Sequence, residues 1–421
     1  MKSIETQPVR ENSDICVPGS KSFTHRILIA SALSDGLCRV NNPLKSEDTM
    51  LTLSGLRQMG IRMDIAPNEI TVHGRSGNLE PVAGPIHLGN SGTSLRLLTG
   101  ICALGKGPYV LDGTQRMRER PIQDLVDGLT QIGVQAHSIE KNGCPPVYVK
   151  GDRIKGGEVQ LKCGISSQFL SSMLLLAPYT AEGLNIHIIE GPVSKPYVDM
   201  TLEVMTQLGV PVDRDGYTRF RVAGGQTYRS GTYAVEPDCS QASYFWGAAA
   251  ICGKSVKVNG TSRRTRQGDV RFIDVLAAMG CHVLEESDGI CITGHDLTGV
   301  DVDMSDMPDV VPTLAVVAAF AKGTTTIRNV AHLKAKESDR LGAVVTELNR
   351  MGIDADCTDS GMTIVGGSPK GAEIETYEDH RIAMSFAMAG LKVPGIIIKN
   401  EGCVGKSFPD FWDVLETLYK S

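Results

Sequence analysis

An α/β fold of six repeated units, three to a domain, is predicted for this 421-residue chain by three observations. The first is an apolar helix rich in small residues that recurs at 22–33, 91–104, 166–178, 240–252, 309–321 and 379–391. The second is an amphipathic helix after each one. Five of these end in a turn glycine before an apolar residue, at Gly60, Gly133, Gly209, Gly280 and Gly352. A sixth, 408–419, ends the chain without that turn. The third is a change to period-two alternation after each turn, the mark of a half-buried strand. A period of roughly 70–75 residues means one supersecondary unit used repeatedly.

Each element follows from local pattern. Residues 61–65 and 70–73 flank Pro67-Asn68 and read as strand, turn, strand. The same alternation returns at 134–139 with 147–150, 210–214 with 218–222, 282–286 with 290–293, and 353–357 with 362–365. A further strand precedes each amphipathic helix, at 37–41, 109–112, 185–190, 255–259 and 324–329. The unit is therefore helix, strand, helix, strand, strand. Its first helix, apolar all round, should be buried, and its second half-exposed.

The chain is too long for one ordinary core, so two domains are expected. Val17-Pro18-Gly19-Ser20 and Val235-Glu236-Pro237-Asp238 fall at one phase of the repeat and read as the two crossings. That places one domain at 19–236 and the other at 1–18 with 237–421. A net charge of −6 gives no bulk support to nucleic-acid binding, so any anion site must be a local cluster of Lys and Arg. The eleven cysteines show no Cys-x-x-Cys spacing and read as reduced thiols. With no signal-like start and no long apolar run, a cytoplasmic location without membrane contact is the expectation.

The apolar helices begin with polar residues. Helix N-termini carry unpaired N–H groups and about half a positive charge, so several together suit small polyanions. Lys21, Ser22 and Arg26 begin the first. Gly89-Asn-Ser-Gly-Thr-Ser-Leu-Arg96 is a glycine turn whose backbone can approach an anion closely. Ser166, Ser167 and Gln168 begin the third, with Ser194, Lys195 and Tyr197 after the next strand. The densest cluster is Lys334, Lys336, Glu337, Asp339 and Arg340, joined by Asp309, Asp379-His380-Arg381 and Lys406. Asp309 stands where a helix cap is as good an explanation as chemistry. Gly402-Cys-Val-Gly-Lys-Ser407 is not a P-loop, because Asn400 fills the first glycine position. No metal-ligand spacing is present.

Taken together these blocks resemble the 5-enolpyruvylshikimate-3-phosphate synthase family. They are Pro18–Arg26, Leu88–Arg96, Arg118–Ile122, Ser166–Phe169, Ser194–Tyr197, Lys336–Leu341, Asp379–Met384 and Lys406–Asp410, in the family's order over nearly the whole chain. The resemblance implies a two-domain inside-out α/β barrel with the active site in the cleft between domains. It implies a monomer that needs no cofactor and no metal. Its reaction would transfer the enolpyruvyl group of phosphoenolpyruvate to the 5-hydroxyl of shikimate 3-phosphate, releasing phosphate on the route to chorismate and the aromatic amino acids. It would also make the chain a glyphosate target.

Residue by residue, the resemblance assigns Ser22, Arg26, Ser166, Ser167, Ser194, Tyr197 and Lys336 to shikimate 3-phosphate. Lys21 and Gln168 would touch both substrates. Gly92, Arg120, Arg340, His380, Arg381 and Lys406 would form the phosphoenolpyruvate site, where bidentate Arg contacts suit carboxylate and phosphate. Asp309 would be the base at the 5-hydroxyl, itself in contact with shikimate 3-phosphate. Glu337 would be the acid at the methylene carbon, a role needing a raised pKa or transient protonation. His332 stands where some members have asparagine and is assigned no contact. Leu97 stands where the plant-type pattern has proline. The sister family that uses UDP-N-acetylglucosamine would have a cysteine at Gln115.

Overall fold

The computed structural model describes residues 1–151 and 153–420. Its α-helices, in chain order, are α1 (Lys21–Leu33), α2 (Glu47–Gln58), α3 (Gly92–Cys102), α4 (Gln123–Gln131), α5 (Gln168–Leu176) and α6 (Pro196–Gln207). They continue with α7 (Cys239–Cys252), α8 (Phe272–Ala278), α9 (Val311–Ala318), α10 (Arg340–Arg350), α11 (His380–Gly390) and α12 (Phe411–Glu416). The odd-numbered helices are the apolar ones and are buried almost throughout. Every residue of α9 and α11 is buried. In α1, α3 and α5 only Ser22, Thr93 and Gln168 escape full burial, each in the first two residues of its helix. The even-numbered helices bury one face, as in α10, where the polar residues at the other face stay exposed.

The sheets reveal a strand that local pattern did not. Leu37–Asn41 pairs antiparallel with Glu69–His73, which pairs with Arg62–Ile65, and this is the expected hairpin arrangement. On the outer side Gly231–Ala234 adds a fourth, parallel strand. The same order recurs with Ile86–His87, Gly157–Lys162, Asn12–Ile15 and Asp301–Asp303 as the outer strands. The repeating unit is therefore one strand longer than the alternation indicated. In most cases the outer strand leaves one repeat to join the sheet of the next, and Gly231–Ala234 returns to the first.

The sixth repeat is completed from the other end of the chain. Ile397–Ile398 pairs parallel with Glu373–Ile374 and antiparallel with Lys2–Ser3. Asn12–Ile15 then serves as the outer strand on Ser255–Asn259. The first eighteen residues thus supply what 408–419 lacks. The result is a mixed α/β fold of separate sheets, none closed into a barrel among the described residues.

Two compact units result, one of residues 19–235 and the other of residues 1–18 with 236–421. Each has its own hydrophobic core, around Leu28, Leu98 and Leu174 in the first and Trp246, Leu314 and Phe386 in the second. No helix among the described residues is long and apolar enough to cross a membrane.

Candidate active site

In the unit of residues 19–235, three helix N-termini are tied together by their own polar side chains. Ser20 caps α1 by accepting from the Phe23 N–H, and Ser91 caps α3 by accepting from that of Ser94. Lys21 Nζ lies 3.1 Å from Asp48 Oδ2 at the start of α2. The Asp48 carbonyl in turn accepts from Ser94 Oγ, 3.0 Å away. Lys21 is thereby fixed relative to the turn that carries Gly92.

Arg26 is buried to 1 % exposure. Its Nε donates to Thr201 Oγ1 (2.7 Å), Nη1 to the Ser22 carbonyl (2.9 Å), and Nη2 to the Tyr197 carbonyl (3.1 Å). All these acceptors are neutral. Burial pulls the guanidinium down to about 10, with Tyr197 partly opposing it, so it stays charged at neutral pH. A buried cation held only by neutral oxygens favours the arrival of an anion. The same contacts bring Ser22 and Tyr197, two predicted ligands, to one guanidinium. Ser194 precedes α6 in a left-handed conformation (φ 53°) and is buried.

Gly92 and Arg120 are in direct apposition. A Cβ on Gly92 would lie 2.5 Å from Arg120 Nη2 and 2.7 Å from its Cζ, so glycine is the residue that lets this guanidinium lie flat. Arg120 Nη1 donates to the carbonyl and side chain of Asn90, while its Nε, also buried, has no partner among the described residues. Arg96, for which the sequence indicated no separate role, joins the remaining pieces. Its Nη1 donates to Gln168 Oε1 (3.0 Å) and Ser166 Oγ (3.3 Å), and its Nη2 to the Pro121 carbonyl beside Arg120. Gln168 Nε2 donates across to Thr93 Oγ1 (2.9 Å). Ser167 is buried immediately before α5.

In the other unit Asp309 is not a helix cap. It sits in a 3₁₀ turn, Pro308–Val310, and α9 begins after Val310 with no side-chain cap. Its carboxylate is held between two guanidiniums, with Oδ1 3.1 Å from Arg340 Nη1 and Oδ2 2.6 Å from Arg381 Nη2. Lys336 Nζ stands 4.0 Å from the same Oδ1. Arg340 is also bonded to Glu337 Oε2 (2.8 Å) and to Asp379 Oδ2 (2.7 Å). Burial works against the charge on Arg340, but Asp379, Glu337 and Asp309 outweigh it and raise its pKa.

Asp379 begins the Asp379-His380-Arg381 motif. It is fully buried, caps α11 through the Arg381 N–H, and accepts from Ser338 Oγ as well as Arg340. It therefore positions the two arginines that hold Asp309. His380 lies fully buried with Nδ1 3.7 Å from Asp379 Oδ1. Lys406 ends the 3₁₀ helix Glu401–Lys406, which packs against α11, and its side chain is buried. His332 is pushed down to about 4 by burial and then by Lys336, so it is neutral under ordinary conditions.

Comparison with known proteins gives the family. A family model described as EPSP synthase (3-phosphoshikimate 1-carboxyvinyltransferase) matches residues 6–415. A 3-phosphoshikimate 1-carboxyvinyltransferase of Methanoculleus marisnigri is 45% identical over 402 residues, covering 94% of each chain. One of Syntrophobacter fumaroxidans is 43% identical, covering 96% of this chain and 97% of the relative. Among solved structures, EPSP synthase from Acinetobacter baumannii superposes with a TM-score of 0.83 at 30% identity, covering 99% of this chain and 98% of that one. The chain belongs to the EPSP synthase family.

Proposed function

We propose that the two clusters perform the transfer of the enolpyruvyl group from phosphoenolpyruvate to the 5-hydroxyl of shikimate 3-phosphate. As a member of its family the chain is a 3-phosphoshikimate 1-carboxyvinyltransferase of the shikimate pathway, and these are its substrates. The observation that carries the assignment of roles is that Asp309 and Glu337, the base and acid of the reading, share one guanidinium, Arg340.

Asp309 takes the 5-hydroxyl proton, and Glu337 delivers a proton to the methylene carbon of phosphoenolpyruvate. The hydroxyl oxygen bonds to C2, giving a tetrahedral intermediate. Elimination then expels phosphate and removes a proton from the new methyl group. At rest Arg340 favours the ionised form of both carboxyls. An arriving anion favours a protonated Glu337, which is how a carboxylate bonded to arginine becomes an acid. Arg120, Arg340, Arg381 and Lys406 stabilise the charge of phosphoenolpyruvate and of the intermediate, with Gly92 leaving room for Arg120. His380 lines that pocket. Ser22, Arg26, Ser166, Ser167, Ser194, Tyr197 and Lys336 hold shikimate 3-phosphate, and Lys21 and Gln168 reach both substrates.

Each three-repeat unit is read as an inside-out barrel, with the buried odd-numbered helices within and the sheets outside. A cytoplasmic monomer is the reading that goes with eleven free cysteines and the family likeness. The test is phosphate release from phosphoenolpyruvate with shikimate 3-phosphate, compared with UDP-N-acetylglucosamine as acceptor. Release only with the first is expected, and release with the second alone would overturn the assignment.

A further inference from the structure

Asp269 is a buried carboxyl for which the reaction as described has no use. It sits in the 3₁₀ helix Gly268–Arg271, which packs against α7 and against the turn that carries Asp309. Its Oδ2 accepts from Ser240 Oγ, while Oδ1 is buried with no hydrogen-bond partner among the described residues. No Lys or Arg among those residues forms an ion pair with it. A carboxylate in such a place is costly, and a neutral carboxylic acid is not.

The groups that face it can be named element by element. From α7 come Ser240, the Cys239 thiol, which burial keeps neutral, and the cap residue Asp238, whose Oδ1 accepts from the Gln241 N–H. From the neighbouring turn comes Asp309, and from α11 Arg381. Arg381 already spends Nη2 on Asp309 and places Nη1 3.5 Å from Tyr244 Oη. The one carboxylate of α8, Asp274, turns away to Arg263. Two carboxyls therefore lie near one another with unequal support. Asp309 has two guanidiniums and Asp269 has one hydroxyl.

We propose that Asp269 is a positioning residue that holds a proton beside Asp309, keeping Asp309 the ionised member of the pair and Arg381 free of a second negative charge. When two carboxyls interact, the better-solvated or better-paired one ionises first and the other keeps the proton. Burial, and after it the Asp309 charge, pushes Asp269 up to about 7. Ionisation of Asp269 above that pH places negative charge next to Arg381, weakens its hold on an anionic substrate, and lowers kcat/KM. This rests on the role given to Asp309 above.

The stability sign follows from the same shift. The folded pKa lies above the unfolded one, so the folded state binds more protons between about 4 and 7. Stability is therefore lost as pH rises through that window. Asp269→Asn, which mimics the neutral acid, should raise Tm relative to the parent by more at pH 8 than at pH 5.

The experiment measures kcat/KM for phosphoenolpyruvate against pH in the parent, Asp269→Asn and Asp309→Ala. In parallel, infrared difference spectra of the unliganded parent and Asp269→Asn are recorded at pH 6 and pH 8. The inference expects near-parent turnover for Asp269→Asn at pH 6 and loss of an alkaline limb that the parent shows. It also expects a neutral-carboxyl carbonyl band in the parent at pH 6 that weakens at pH 8 and is missing from the variant. An unchanged alkaline limb in Asp269→Asn, or no carboxyl band assignable to it, would overturn the inference even where Asp309→Ala is inactive. Absence of phosphate release by the parent at every pH would instead overturn the reading of function, and the infrared bands would still decide the protonation state of Asp269.

Discussion

In the unit of residues 19–235 two of the candidate guanidiniums rest on neutral oxygens: Arg26 on Thr201, Ser22 and Tyr197, and Arg120 on Asn90. In the unit of residues 236–421 the guanidiniums rest on carboxylates, Arg340 on Asp309, Glu337 and Asp379, and Arg381 on Asp309. The two units share one repeat but use its buried helix starts differently. Cations without counter-ions have charge to offer an incoming anion. Cations bonded to carboxylates hold those carboxylates in place and set when they carry protons. On the proposed reading the first arrangement offers uncompensated charge to an anion, whereas the second, besides lending Arg340 and Arg381 to phosphoenolpyruvate, governs the protons of Asp309 and Glu337.

The largest effect that would break this contrast is expected at Asp309. Asp309→Ala should fold and still bind shikimate 3-phosphate, yet lose on the order of 10²–10⁴ in turnover, the usual contribution of a general base. Steady-state phosphate release measures it, and a variant with near-parent turnover would return Asp309 to a purely structural role.

A smaller effect is expected at Gly92. A methyl group there would meet the Arg120 guanidinium at 2.5 Å and force it aside. Displacing one charged hydrogen-bonding group is worth about 1.5–3 kcal/mol, or roughly 10–100-fold. Gly92→Ala should raise the KM of phosphoenolpyruvate by about that factor while the affinity for shikimate 3-phosphate, measured by calorimetry, holds. Equal weakening of both ligands would mean that Arg120 serves the whole cluster rather than one substrate.

Leu97 bears on stability more than on chemistry. It is buried at the sixth residue of α3, and its carbonyl lies 3.4 Å from Ser172 Oγ. Proline there would remove a helix N–H and crowd the preceding turn, so Leu97→Pro should cost about 3 kcal/mol or more. A fall in Tm checks this, and an unchanged Tm would show that α3 tolerates the kink that the plant-type proline implies. The smallest effect is expected at His332, already neutral above about pH 4. His332→Asn should leave the pH profile without a missing step between pH 5 and 8.

Much of this was legible in the chain. The odd-numbered helices announced themselves as apolar on all sides, and each hairpin by alternation around a turn. The outer strands were not legible, because Ile86–His87 and Asp301–Asp303 are too short for a period and pair with a strand from another repeat. For the same reason nothing local in Lys2–Ser3 indicated that it completes the sixth repeat. In the site, Lys21, Arg26 and Arg340 could be found because cations beside apolar runs are conspicuous. Asp379 and Arg96 stood in view within motifs, but their positioning roles depend on partners 39 and 70 or more residues away. Asp48 and Asp269 lay in ordinary amphipathic surroundings, and only the packing reveals that they are buried. Asp309 illustrates the limit from the other side: a cap and a base fit one sequence position, and the structure rules out the cap, since Asp309 lies in a 3₁₀ turn with its carboxylate between two guanidiniums.

The division of labour between the two units is tested most directly by titrating shikimate 3-phosphate calorimetrically into the parent, Arg26→Ala and Asp309→Ala, with turnover measured on the same samples. The expected result is that Arg26→Ala loses most of its affinity, while Asp309→Ala binds nearly as the parent does and fails only in turnover. Parent-like binding by Arg26→Ala, or an equal loss of affinity in both variants, would contradict the proposed reading, in which the unpaired Arg26 guanidinium captures shikimate 3-phosphate and Asp309 serves proton transfer.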